Sequence, residues 1–207
     1  MAVSKKFSAP HLQTAYRAGL RDFGENYIQE FVEKRPQLEA LTDARFHLIG
    51  HLQSNKARVA TEIFQVVQTV DSIRLLERLN ALSQVERRNA AYRESPKLEV
   101  MIEVKLSAEE SKHGAKPEGL PSLLEAAARC PNLSLSGLMT MPPWHADPEH
   151  SRPYFQQLAS LGREFQLPKL SMGMSNDLEV AIEEGATLIR VGTALFGPRP
   201  KPQPGGF

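Results

Sequence analysis

Lys5 and Lys6 stand in AVSKKF, where a short apolar run of strand type meets two ammonium groups. An inward lysine at a strand end has two uses. It balances a carboxylate or, once desolvated with a lowered pKa, its amine attacks an aldehyde. Near the other end of the chain, RVGTALFG (190–197) places Gly192 and Thr193 after an apolar run and at the start of a short helical turn. Backbone N–H groups at such a junction can point at an anion, and glycine lets a phosphate approach without meeting a Cβ. SMGMSND (171–177) offers a second junction, with Ser175 as a helix cap whose hydroxyl adds to the same anion. Taken singly these are ordinary turns and caps; together they describe a phosphate seat.

Strand parity decides which of these groups share a surface, because side chains alternate along a strand. Ile189 and Val191 suit a helix-covered outside, which turns Arg190 and Gly192 inward. A buried guanidinium needs an acceptor, either a ligand in the site or a carboxylate on another strand such as Glu103. By the same parity Val3 and Lys5 face inward and Lys6 faces away. An inward amine beside a phosphate seat selects a phosphorylated aldehyde, and pyridoxal 5′-phosphate is the one that fits. Other clusters carry less. His47 and His51 are spaced i,i+4, a ligand pair only on a helix, but FHLIG reads as strand and a third ligand is not evident, so no metal site is expected. His145 and His150 fall in a Pro-rich loop and read as solvated, and Ser107, Glu109, Glu110 and Lys112 read as a polar surface loop.

The elements that must position these groups alternate between two periods. Strand-type runs recur at 2–5, 22–26, 46–50, 65–71, 97–106, 133–141, 169–174 and 187–192, with helix-type segments between them. Ile73, Leu75, Leu76, Leu79 and Leu82 form one apolar face opposite Arg74, Glu77 and Arg78. Eight strands each followed by a helix or turn predict a single (β/α)8 barrel over 1–197, with a doubly wound open sheet as the rival. Residues 198–207 are too rich in Pro and Gly to pack and are expected to be disordered. In such a barrel active groups lie at the C-terminal strand ends and phosphates after strands seven and eight, where the motifs stand. Parallel strands need both faces covered, and nothing in the chain obviously covers the seam between strands eight and one. A helix upstream of Met1 is the expected missing cover.

Composition bounds the function. The chain has 207 residues, 41% of them apolar and 24% charged, with a formal net charge of +1. No whole-molecule field favours nucleic acid, and no run approaches a membrane span. The one cysteine, Cys130, excludes an internal disulfide and suits a reducing cytosol, so a cytoplasmic protein is expected.

The stretches AVSK (2–5), FGENYIQE (23–30), FHLIGHLQSNK (46–56), SKHG (111–114), GLMTM (137–141), LSMGMSND (170–177) and IRVGTALFG (189–197) occur here in that order. They resemble the pyridoxal 5′-phosphate homeostasis protein family, relatives of the barrel domain of bacterial alanine racemase, and the match spans nearly the whole chain. The resemblance implies a barrel of the alanine racemase N-terminal-domain type holding the cofactor as an aldimine on Lys5. It implies phosphate contacts from Ser175, Gly192 and Thr193, with Arg190 facing the pyridine nitrogen and Asn26, Ser171 and Met174 near the ring. The chain departs from the family in lacking the usual N-terminal helix and in reading Lys5-Lys6-Phe7-Ser8, without a second cofactor-handling lysine at Phe7.

The implied role is binding and buffering of the cofactor, with effects on amino-acid and keto-acid balance, rather than turnover. Arg190, always cationic, would disfavour protonation of the ring nitrogen and so weaken the electron sink that carbanion chemistry needs. Racemisation further requires an acid–base group on each face of the substrate, and Tyr27 is the conceivable second one. The alternatives are a racemase or lyase of fold type III and a phosphosugar barrel that uses no cofactor. Expected partners are the cofactor and apo-enzymes that accept it, with the chain a monomer.

Overall fold

The alternation of periods is realised in a computed structural model of the chain, which describes residues 1–89, 97–109 and 112–198. Eight parallel strands pair in the order of the sequence. They are β1 (Ala2–Val3), β2 (Asp22–Glu25), β3 (Arg45–Leu48), β4 (Val66–Val70), β5 (Leu98–Glu103), β6 (Leu133–Met139), β7 (Lys169–Met174) and β8 (Leu188–Arg190). Between and after them run α1 (Ala9–Arg17), α2 (Ile28–Lys34), α3 (Ala57–Ile63), α4 (Ile73–Asn89), α5 (Leu120–Ala128), α6 (Arg152–Glu164), α7 (Leu178–Glu183) and α8 (Thr193–Phe196). This is the (β/α)8 barrel, not the open sheet. No helix among the described residues is long and apolar enough to cross a membrane.

Alternation along the strands separates two environments. Outward residues such as Phe23, Phe46, Leu48, Val67, Val100, Ile102, Leu138 and Met172 are buried beneath the helices with Leu12, Phe31, Leu76, Leu79, Leu120, Phe155 and Val180. Phe31 joins two strands to this layer, with its ring 4.7 Å from Phe46 and 4.9 Å from Phe64. Burial of such apolar surface is the main driving force for closing the helices over the barrel. The inward set includes the polar His47, Gln68, Glu103, Ser171 and Arg190 beside the apolar Val66, Met101 and Met139.

The two strands of the seam pair directly, and an apolar groove lined by Ala15, Ala18, Leu20, Leu195 and Phe196 stays open between α1 and α8. Strand eight bonds back to strand one: Val3 N–H donates to the Val191 carbonyl at 2.8 Å and Val191 N–H to that of Met1 at 3.0 Å. The terminal ammonium of Met1 donates to the Ile189 carbonyl at 3.0 Å. The rings of Phe7, His11 and Phe196 gather where the first and last loops meet, with the two phenyl centroids 4.9 Å apart. The expected disorder of 198–207 concerns residues that, Pro198 aside, lie outside those described.

One strand stops short of its predicted limit, and another keeps its limits but is irregular within them. β1 stops at Val3, and Ser4–Phe7 forms a turn closed by Phe7 N–H donating to the Ser4 carbonyl at 3.1 Å. Lys6 takes a left-handed φ of 65°, a conformation that costs a non-glycine residue energy. Its N–H donates to Glu30 Oε1 at 2.5 Å, which offsets part of that cost. β7 is irregular where its register with β8 shifts between Ser171 and Met174. Gly173 has φ 87°, and a Cβ there would lie 2.5 Å from the Cβ of Ala181 on α7. Only glycine lets β7 turn there while α7 stays packed against it. Gly173→Ala is therefore expected to cost about 3 kcal/mol of stability in urea unfolding; a loss within 0.5 kcal/mol, about the scatter of neutral surface changes, would refute the packing argument.

Candidate functional site

Arg190, 5% exposed, is turned inward as its parity predicts. Its Nη1 donates to Ser171 Oγ at 2.9 Å and its Nη2 to the Thr140 carbonyl at 2.8 Å. Ser171 Oγ donates in turn to Gln68 Oε1 at 2.7 Å. The Gln68 amide lies 2.9 Å from His47 Nδ1, and His47 Nε2 lies 2.8 Å from Asp22 Oδ1. Since an amide nitrogen can only donate, Nδ1 accepts and Nε2 carries the hydrogen offered to Asp22. The line thus runs in one direction across the barrel, from a cation on β8 to a carboxylate on β2, and bonds aligned in this way polarise one another. Burial, working against the Asp22 hydrogen bond, holds His47 below its usual pKa. Burial also lowers the Arg190 guanidinium to about 10, with Asp177 and Glu103 opposing, so it stays charged at neutral pH.

A second buried set fixes the exit of β1. Glu25 Oε1 accepts from Ser4 Oγ at 2.9 Å and from Lys34 Nζ at 2.8 Å, and Nζ also donates to the Ser4 carbonyl at 3.0 Å. Glu25 is fully buried, and desolvation raises its pKa in spite of Lys34, while its Oε2 finds no partner. Ser4 precedes Lys5, so this ion pair between β2 and α2 clamps the backbone that carries the amine.

The C-terminal strand ends frame a cleft of about 270 Å³. Lys5, Asn26, Met174, Ser175, Arg190, Gly192 and Thr193 all line it. Asn26 Oδ1 is buried there without a hydrogen-bond partner among the described residues. The loop carrying Asn26 runs close to Gly50, where a Cβ would lie 2.2 Å from the Asn26 carbonyl oxygen. Ser171 differs from the other expected residues: it is fully buried behind Arg190 and is not among the cleft's lining.

Local details depart from the sequence reading. Ser175 does not cap α7; its Oγ lies 3.4 Å from the Ala194 N–H on the β8 side. The turn after β7 is organised by Asp177, whose Oδ1 accepts from the Met174 N–H at 2.6 Å and whose Oδ2 accepts from Ser151 Oγ at 2.8 Å. Arg190 does not have Glu103 as its direct partner. His145 lines the cleft instead of standing free in its loop, and its carbonyl accepts from Asn176 Nδ2 at 3.0 Å. Val3, turned inward as its parity predicts, also lines the cleft; Ile49, Met139, Met141, Trp144, Asn176 and Asp177 complete the lining and were not anticipated. A signal existed for Trp144 and His145, since the loop after a barrel's sixth strand belongs to the active face. Trp144 is 75% exposed, at the rim.

Residues 1–200 match the model of the alanine racemase N-terminal domain family. A pyridoxal phosphate homeostasis protein of Pseudomonas aeruginosa is 46% identical over 201 residues, covering 96% of this chain and 84% of the relative. One from Aquifex aeolicus is 42% identical over 205 residues, covering 96% and 86%. Among solved structures, PipY of Synechococcus elongatus with pyridoxal phosphate bound superposes with a TM-score of 0.85 at 37% identity, covering 95% of this chain and 91% of that one.

Glu103, at the end of β5, is 5% exposed. Desolvation first, and Asp71 second, raise its pKa to about 7, against Arg190 and Lys112. A carboxyl whose folded value lies above its unfolded one stabilises the fold fully below the unfolded value. That contribution is lost as pH rises through about 7. Urea unfolding at pH 5 and pH 8 is therefore expected to show the parent losing about 2.5 kcal/mol more than Glu103→Gln over that interval. Parallel losses in the two proteins would remove Glu103 as the cause.

Proposed function

Because the chain belongs to the pyridoxal phosphate homeostasis protein family, we propose that it binds pyridoxal 5′-phosphate covalently through Lys5. In this reading it holds the cofactor in the cytoplasm and passes it on to apo-enzymes, with consequences for amino-acid and keto-acid balance. The observation that carries the proposal is the convergence of Lys5, Asn26, Met174, Ser175, Arg190, Gly192 and Thr193, which lie far apart in sequence, on one cleft. The cleft fits the group: Asn26 offers a buried oxygen with no hydrogen-bond partner among the described residues, and Arg190 offers a desolvated cation.

Bound there, the cofactor supplies an aldehyde and an electron-withdrawing ring. Lys5 contributes the primary amine, on a turn anchored by Ser4, Glu25 and Lys34. Ser175 Oγ and the Gly192–Thr193 backbone, brought together by neighbouring β7 and β8, hold the phosphate. Arg190 would face the ring nitrogen, with Ser171 and the Thr140 carbonyl keeping the guanidinium in place. Ser171 therefore acts on the site through Arg190. A guanidinium that remains protonated leaves the ring nitrogen without its proton, which favours holding the cofactor over carbanion chemistry. Tyr27, the conceivable second acid–base group, is 49% exposed and outside the lining of the cleft, which favours the same reading.

Incubation with pyridoxal phosphate, borohydride reduction and peptide mass spectrometry is expected to find the adduct on Lys5. Lys5→Ala should lose it and Lys6→Ala should keep it. Trp144 is the only tryptophan, so its emission should be quenched on loading. A reducible adduct that survives Lys5→Ala undiminished, or none in the parent, would overturn the proposal.

A further inference from the structure

His51, set aside in sequence because no third ligand was evident, has two partners in space. His51 leaves β3, Asp71 follows the last residue of β4, and His113 lies in the loop after β5. One ligand atom from each lies within 4.8 Å of the others. The two imidazoles stack face to face, with centroids 3.6 Å apart and planes 12° from parallel. None of the three lines the cofactor cleft. We propose that His51, Asp71 and His113 form a binding site for a divalent transition-metal ion of the zinc class, on the rim formed by the loops after β3, β4 and β5.

The backbone builds this juxtaposition. The Gly50 carbonyl, one residue before His51, accepts from Thr69 Oγ1 on β4 at 2.9 Å. The loop after β5 folds back through a Val104–Ala115 bridge. Lys105 N–H there donates to the Ala115 carbonyl and Ala115 N–H to that of Glu103, both at 2.8 Å. The return brings His113 beside its own strand end and depends on Gly114, which has φ 119° and where a Cβ would sit 2.8 Å from the Lys105 nitrogen. Lys112, the neighbouring cation, is tied to the carbonyls of Met141 and Pro142 at 3.3 and 2.7 Å.

The donor chemistry points to the ion. Two imidazoles and a carboxylate are borderline donors that suit zinc and its first-row neighbours better than calcium or magnesium, which prefer oxygen. Histidine ligates a metal as the neutral imidazole, through the ring nitrogen that carries no hydrogen. In a tetrahedral site the donor atoms stand about 3.4 Å apart, a contraction that rotation of two exposed histidines supplies. Asp71 offers the negative charge, with Glu103 close enough to interact with it. Three protein ligands leave a fourth position for water or for a small carboxylate or amine.

The test uses the full chain, stripped with a chelator and titrated with Zn2+ by calorimetry, with Co2+ as the spectroscopic probe. One equivalent of Zn2+ and visible Co2+ ligand-field bands are expected. His51→Ala and His113→Ala should each abolish the bands and weaken Zn2+ about 100-fold, and Asp71→Asn about tenfold. The double variant of the other stacked pair, His145→Ala with His150→Ala, and Lys5→Ala should bind Zn2+ like the parent. Zn2+ should raise the melting temperature of the parent but not of His113→Ser, which keeps the readout if His51→Ala does not fold. Absence of Co2+ bands in the parent, or parental Zn2+ affinity in the His51→Ala, His113→Ala double variant, would overturn the site.

Discussion

A guanidinium without water inside a barrel is the constraint on which the interior is built. Moving a charge out of water costs several kcal/mol unless the protein returns the lost hydrogen bonds. Arg190 is answered by neutral oxygens from Ser171 and Thr140 at contact distance, with Glu103 and Asp177 acting through space. Ser171 can accept from Arg190 only if its own hydrogen goes elsewhere, and Gln68 takes it. Gln68 then requires an acceptor for its amide, which fixes the tautomer of His47 and brings in Asp22. One cation thus dictates side chains on four other strands, and a change in a buried member leaves an unpaired polar group where water does not reach.

The same constraint explains why a line of polar side chains crosses the inside of the barrel while its outside is apolar. Most of the hydrophobic driving force lies between strands and helices, where the phenylalanine and leucine layers are continuous. The interior contributes position instead: it holds a charge pointing at the cleft in one orientation. The Ser4–Glu25–Lys34 set has the same role on the outer layer. Glu25 is held at an electrostatic cost, visible in its raised pKa, and what it fixes is the turn that carries Lys5. Both halves of the proposed cofactor site therefore rest on buried polar groups that a purely apolar core would not need.

All eight strands and the inward turn of Arg190 were legible in the sequence, since both follow from alternation of side chains along an extended chain. Asn26 and Met174 came from family resemblance, and no local pattern would have singled them out. Lys5 reached the cleft by a different route from the one parity implied: β1 ends at Val3, and a turn with a left-handed Lys6 aims it. Ser175 was read as a cap because Ser before an apolar helix commonly is one; Asp177, two residues on, holds that turn instead. The pairing of strand eight with strand one was not legible, because a hydrogen bond between the first and last strands leaves no mark on either.

The sequence alone determined the order of elements, the sign of each strand face and the reactive groups at strand ends, because these depend on neighbours within a few residues. Tertiary structure decided the partners. Whether Arg190 meets Glu103 or Ser171, whether His51 stands alone or beside Asp71 and His113, and whether strand eight finds strand one are questions of barrel closure. Closure sets the register between strands that are distant in sequence, and desolvation then selects among the polar pairings that register allows.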